Sequence, residues 1–133
     1  MIIDHHGITV KNLRYARKIH TERYNYFPVT EELIIENQGV IAQIFSNNSG
    51  VNLELLTPYG DNSPIQSFLR RGIGLAHICF KIKEFENEYN RLKKWVVREP
   101  KVAPQTYFNS GRTFFVHNGI YLIEYLECME NEK

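Results

Sequence analysis

The sequence predicts an α+β fold made of two βαβββ repeats, each a curved sheet with a helix on one face. Three observations predict it. A short apolar strand with a histidine near its start runs through Asp4-His5-His6-Gly7-Ile8-Thr9-Val10, and again through Leu75-Ala76-His77-Ile78-Cys79-Phe80-Lys81-Ile82. Each is followed by a strand that sets a carboxylate between large apolar residues, first Val51-Asn52-Leu53-Glu54-Leu55-Leu56 and then Ile120-Tyr121-Leu122-Ile123-Glu124-Tyr125-Leu126. The two histidines stand 72 residues apart and the two glutamates 70, which points to an internal duplication.

Taken in order, residues 2–10 form a strand whose pleat puts His5, Gly7 and Thr9 on one face and His6, Ile8 and Val10 on the other. From Asn12 the period changes to that of a helix, with Leu13, Ala16, Ile19 and His20 on one stripe and Asn12 as N-cap, running to about Tyr24. Phe27-Pro28-Val29 breaks it. Residues 31–36 and 39–45 then read as strands joined through Asn37-Gln38-Gly39, and Asn47-Asn48-Ser49-Gly50 is a hairpin signal into the Glu54 strand. Ser63 and Pro64 have the chemistry of a helix start, N-cap and first helical position, for a short helix over 65–71 that Gly72-Ile73-Gly74 ends.

The second half follows the same plan. Phe85, Tyr89, Leu92 and Trp95 mark an amphipathic helix, residues 96–102 a strand, 107–111 a loop, and 112–117 and 120–126 a hairpin about Asn118-Gly119. The whole chain, 1–133, is predicted to be one domain, with repeat one at about 1–60 and repeat two at about 73–128.

Composition agrees with one globular domain: 133 residues, 43% apolar and 13% aromatic, are enough to bury a core without staples. Sixteen Lys and Arg against 15 Asp and Glu leave no charge excess that calls for nucleic acid or an anionic membrane, so a small-molecule partner is expected. Cys79 and Cys128 lie far apart and form no metal-type pair, which predicts free thiols in a reducing compartment. Met1-Ile2-Ile3-Asp4 lacks the basic region of a leader, and no apolar run approaches the roughly 20 residues of a membrane span. The expected location is the cytoplasm.

The chemistry follows from the carboxylates. Glu54 between Leu53 and Leu55, and Glu124 between Ile123 and Tyr125, are costly to bury unless neutralised or coordinated. Two imidazoles and two carboxylates, His5, Glu54, His77 and Glu124, suit one divalent first-row metal in a cleft between the curved sheets. Four protein ligands on an octahedral ion leave two positions for neighbouring substrate oxygens, which polarises a carbonyl as the adjacent carbon loses a proton. His6 faces the helix side and is read as structural, as are His20 and His117.

These stretches, together with Asn52-Leu53-Glu54-Leu55-Leu56-Thr57-Pro58, Asp61-Asn62-Ser63-Pro64-Ile65 and Gly74-Leu75-Ala76-His77-Ile78, resemble the vicinal oxygen chelate (glyoxalase/bleomycin resistance/dioxygenase) superfamily near glyoxalase I and methylmalonyl-CoA epimerase. The resemblance covers essentially the whole chain. It implies that His5, Glu54, His77 and Glu124 are the metal ligands, for nickel, zinc, cobalt or manganese, and that Glu124 doubles as the proton-shuttling base. The sequence also departs from the epimerase pattern. Where some epimerases carry a second acid/base Glu, this chain has Ala42 or Gln43, and the stretch around Asn118-Gly119 lacks their His-Pro-Lys loop. Gln43, Arg70 and Arg71 are candidate substrate contacts, the arginines for a CoA phosphate or a glutathione carboxylate. Two Arg in a last helical turn also answer to the helix dipole, and that reading is favoured.

The leading expectation is a glyoxalase I-type lyase or isomerase, which turns a thiol hemithioacetal into a thioester through an enediolate and needs only one strong base. An acyl-CoA epimerase like methylmalonyl-CoA epimerase is the alternative, supported by the Asn-Ser-Pro-Ile stretch. The other alternative is a non-catalytic antibiotic-binding protein, disfavoured because such proteins typically lack the ligands present here. A ring-cleaving dioxygenase is disfavoured by the fourth ligand. The resemblance leaves open a monomer or a homodimer.

Overall fold

The pleat of β1 (Ile2–Thr9) buries His5, Gly7 and Thr9 and leaves His6 and Ile8 partly exposed, the alternation the sequence predicts. The computed structural model describes residues 2–48, 50–103 and 111–129. Among these it is a mixed α+β structure of nine strands and three helices, and no helix is long and apolar enough to cross a membrane. The chain divides into two compact units, one of His5–Ala76 and one of the residues from His77 on with those up to Asp4.

In the first unit β1 is followed by α1 (Leu13–Tyr24), β2 (Phe27–Pro28), β3 (Leu33–Ile35), β4 (Val40–Ser46), β5 (Asn52–Pro58) and α2 (Gln66–Arg70). The strands lie in the order β2-β4-β5-β1, with β3 also on β4 and only β1–β5 parallel. Asn12 caps α1 as expected, its side chain accepting from the Tyr15 N–H at 2.9 Å. The helix ends at Asn25, in the left-handed conformation that asparagine tolerates. Leu13 and Ala16 pack with Phe45 and Leu55 into a buried cluster, flanked by Ile8, Val10, Ile41 and Leu53. This apolar face is the one away from His5.

Two details differ from the sequence expectations. Phe27-Pro28 does more than break the helix, since it pairs with Ser46 and Phe45 as a two-residue strand too short to carry a period. Ser63 does not cap α2. Its hydroxyl donates to the carbonyl of Gly39 at 2.6 Å, and α2 begins at Gln66 with no side-chain cap. Gly39 closes the 3₁₀ turn Glu36–Gln38 at φ 67°, and a Cβ there would come within 3.1 Å of Pro64, so both the backbone angle and the tight approach favour glycine.

The second unit holds β6 (Leu75–Ile82), α3 (Phe85–Leu92), β7 (Val96–Val102), β8 (Arg112–His117) and β9 (Leu122–Glu127), in strand order β6-β9-β8-β7. Again only the pairing of the histidine strand with the glutamate strand, β6–β9, is parallel. Ile82, Phe85, Leu92, Phe114, Val116 and Tyr125 form the core under α3. Phe114 stacks on Tyr125 at 5.1 Å between centroids and receives Phe85 edge-on at 5.2 Å. Trp95 leaves the predicted stripe and is 52% exposed, because a 3₁₀ turn at Lys93–Trp95 replaces the last helical turn and changes the period. The Asn118-Gly119 hairpin forms as expected, with Asn118 Oδ1 accepting from the Ile120 and Tyr121 N–H groups. The loop predicted over 107–111 lies outside the described residues except for Gly111.

Arg112 joins three elements of this unit. Its guanidinium donates to Glu127 and Glu86 and lies 4.3 Å over the Phe85 ring. The Arg112 hydrogen bond holds the Glu127 carboxyl below its ordinary range.

Two stability measurements check this account. Phe114→Ala should cost about 3–5 kcal/mol in chemical denaturation, as expected for a fully buried aromatic. Because the Glu127 pKa is depressed in the folded state, its contribution is present above its ordinary pKa of 4.5 and lost as pH falls through the depressed value. Glu127→Gln should therefore flatten the acid side of the stability curve, and an unchanged acid limb would show that the Arg112 pair contributes nothing.

Candidate functional site

In the first unit, β5 runs parallel to β1 with Asn52 opposite His5 and Glu54 opposite Gly7. His5 and Glu54 therefore share a face, and His5 Nε2 lies 3.4 Å from Glu54 Oε1, with the two residues 0% and 3% exposed. Thr9, on the same row as His5, donates to the carbonyl of Ile73 at 2.6 Å and ties the end of β1 to the segment after α2. On the other side of β5, β4 sets Ile44 opposite Glu54 and Ala42 opposite Leu56, so Ala42 is the diagonal neighbour of Glu54 on that face.

The second unit repeats the arrangement. Cys79 stands opposite Glu124 in the parallel pair β6–β9, His77 precedes Cys79 by one pleat, and His77 Nε2 lies 3.2 Å from Glu124 Oε1. Both are buried. β8 sets Phe115 opposite Glu124 and Thr113 on the diagonal. The Phe115 ring meets His77 edge-on at 5.7 Å, and Thr113 Oγ1 donates to Glu124 Oε2 at 2.8 Å.

A carboxylate this buried costs several kcal/mol unless a donor, a cation or a metal compensates it. Each glutamate has an imidazole nitrogen against one oxygen. Each of the four residues offers one ligand atom of the kind a divalent first-row ion takes, an imidazole nitrogen or a carboxylate oxygen. The donor set of each unit thus fits the metal that the sequence implies.

The remaining histidines sit apart from these pairs. His6 is on the opposite row of β1 and partly exposed. His20 places Nδ1 2.8 Å from the Ala16 carbonyl and contacts the rings of Tyr24 and Tyr26. His117 accepts from the Gly119 N–H in the hairpin turn.

Gln43 is brought next to neither pair's face. It lies opposite Leu55, on the face of β4 turned away from Glu54, where Arg17 Nη1 donates to its Oε1 at 3.0 Å and its Nε2 donates to the Thr30 carbonyl at 2.9 Å. The residue that shares Glu54's face is Ala42, fully buried. Arg70 and Arg71 are exposed at the C-terminal end of α2. Thr113 is absent from the sequence-derived candidates, although the Asn118-Gly119 turn sets a register that puts it on the Glu124 face.

Residues 4–115 match the model of the Glyoxalase/Bleomycin resistance protein/Dioxygenase superfamily. The chain is 27% identical over 117 residues to the mitochondrial methylmalonyl-CoA epimerase of Dictyostelium discoideum, covering 86% of this chain and 69% of that protein. It is 30% identical over 98 residues to the human mitochondrial methylmalonyl-CoA epimerase, covering 72% of this chain and 54% of that one, so it spans about half the length of the human relative. Among solved structures it resembles methylmalonyl-CoA epimerase from Mycobacterium tuberculosis, with a TM-score of 0.83, 25% identity, and coverage of 96% of this chain and 87% of the other.

Gln43→Leu keeps the shape of the side chain and removes both of its hydrogen bonds, leaving the partly buried Thr30 carbonyl short of a donor. It should lower stability by about 0.5–1.5 kcal/mol in denaturant titration. A change under about 0.5 kcal/mol, the size of an ordinary surface substitution, would mean that the Arg17–Gln43–Thr30 link carries no load.

Proposed function

Because the chain belongs to the Glyoxalase/Bleomycin resistance protein/Dioxygenase superfamily, we propose that it is a divalent-metal-dependent acyl-CoA epimerase of the methylmalonyl-CoA epimerase kind. The observation that carries the proposal is the buried His–Glu pair built twice in the same register, His5 with Glu54 and His77 with Glu124. In this reading the four side chains hold one ion, nickel, zinc, cobalt or manganese. When bound, such an ion supplies a Lewis acid that polarises the thioester carbonyl. The relatives named methylmalonyl-CoA epimerase support an acyl-CoA substrate over the glyoxalase I-type chemistry that the sequence alone places slightly ahead.

Glu124 acts as the base. The α-carbon–hydrogen bond breaks, the proton passes to the Glu124 carboxylate, and the electron pair moves into the carbonyl. The protonated Glu124 can return that proton to the same face, while inversion needs a proton delivered to the opposite face of the carbon, which in the epimerase reading comes from a water molecule. Ala42 favours a second reading at this point, since the row of β4 beside Glu54 offers no acid where it stands. Return of the proton to the neighbouring carbon by the same base, as in glyoxalase I-type isomerisation of a thiol hemithioacetal, needs no second acid. The exposed Arg70 and Arg71 stay candidates for a CoA phosphate, with the helix-dipole reading still favoured for them. A cytoplasmic homodimer belongs to the proposal too.

The test joins metal analysis to a substrate panel. Purified protein should hold about one divalent ion per chain, with His77→Ala losing it and His6→Ala keeping it. Equal loss from both substitutions would refute the ligand assignment. Offered methylmalonyl-CoA in deuterium oxide, the metal-loaded protein should exchange the α-proton and interconvert the epimers, and Glu124→Gln should abolish the exchange. Exchange at the wild-type rate in Glu124→Gln would place the base elsewhere, and turnover of a hemithioacetal with none of methylmalonyl-CoA would select the second reading.

A further inference from the structure

We infer that Thr113 is a positioning residue for Glu124, fixing which carboxylate oxygen stands on the His77 side; the inference rests on the proposed role of Glu124 as ligand and base. The two oxygens of Glu124 have different neighbours. Oε1 lies 3.2 Å from His77 Nε2, and Oε2 receives the Thr113 hydroxyl at 2.8 Å. Thr113 is 4% exposed and Glu124 2%, so no bulk water competes for that bond, and a hydroxyl hydrogen bond to a carboxylate is strong in such surroundings. A β-branched side chain in a strand has a restricted χ1, so the sheet itself aims the hydroxyl. Rotation of the carboxylate would break the bond, and Oε1 is thereby kept on the His77 side.

The first unit supplies the comparison that separates this from ordinary satisfaction of a buried charge. Thr113 pairs with Leu126, two residues beyond Glu124, and Ala42 pairs with Leu56, two residues beyond Glu54. The two positions correspond in register, yet one carries a hydroxyl and the other a methyl group. A buried glutamate of this fold does not by itself call for a hydroxyl at this register, since Glu54 is about as buried as Glu124 and has a methyl group there. The hydroxyl is present beside the glutamate assigned the proton transfer, and the corresponding position beside the glutamate assigned only to hold the ion has none.

Thr113→Val keeps the shape and deletes the hydroxyl, and Thr113→Ser keeps the hydroxyl and deletes the methyl group. In α-proton exchange from methylmalonyl-CoA, Thr113→Val should lower kcat about 10–100-fold with KM nearly unchanged, the usual cost of losing a residue that orients a ligand. Its affinity for cobalt(II) should fall about tenfold and the visible spectrum of the bound ion should shift, both read without substrate. Thr113→Ser should restore kcat and the cobalt spectrum. Should Thr113→Val not fold, Thr113→Ala, the residue the first unit accepts at this register, gives the same readouts. Wild-type kcat and cobalt spectrum in the hydroxyl-less variant would overturn the inference, and so would equal impairment in Thr113→Ser. A cobalt effect restored by serine in a protein that exchanges no acyl-CoA proton would uphold Thr113 while refuting the proposed substrate, and a wild type that binds no cobalt would sink both.

Discussion

The constraint on which the rest depends is the cost of burying two glutamates. Glu54 and Glu124 are almost wholly removed from water, and a bare carboxylate there would forfeit more energy than a chain of this size has to spare. Each is held against an imidazole donated by the neighbouring parallel strand. A parallel neighbour cannot be reached by a tight turn, so each unit needs a crossover connection between its histidine and its glutamate. In both units the crossover is one helix followed by further strands, and the helix covers the other face of the sheet.

Strand alternation then gives each sheet two unlike faces. In the first unit Phe45, Leu53, Leu55 and Ile8 point to α1, while His5, Gly7, Thr9 and Glu54 occupy the other rows. In the second, Ile82, Phe114, Val116 and Tyr125 lie under α3, while His77, Cys79, Thr113 and Glu124 occupy the other rows. A one-residue slip in any of these strands would exchange the two sets and bury charge against the helix. The apolar clusters thus do more than stabilise the units, because they enforce the register that brings each nitrogen to its carboxylate. The same alternation puts Gln43 with Arg17 and Thr30 on the helix side and leaves Ala42 on the side of Glu54.

Polar side chains that span long stretches of sequence fasten the ends of these strands. Ser63 reaches the carbonyl of Gly39, Thr9 reaches that of Ile73, and Arg112 bridges Glu86 and Glu127. Lys81 lies 3.6 Å from Asp4 in the unit they share. Such contacts replace local ones. Ser63 has the right position and chemistry to cap α2, and its hydroxyl goes instead to a backbone carbonyl 24 residues away, which leaves α2 to start later and without a side-chain cap.

Much of the arrangement was legible in the amino-acid sequence because it follows from periods and turn chemistry that act over a few residues. The period of two in β1 placed His5 opposite to His6, the period of 3.6 with Asn12 marked α1, and Asn118-Gly119 marked the hairpin between β8 and β9. The paired offsets of His and Glu singled out the two His–Glu pairs. What only the tertiary structure decided depends on which strand lies beside which and in what register, and no local period carries that information. It made Phe27-Pro28 a strand through its pairing with β4, turned Gln43 to the helix side, set Ala42 beside Glu54, and brought the Thr113 hydroxyl to Glu124. Sequence determined which side chains share a face of their own strand; packing across strands decided what those faces meet.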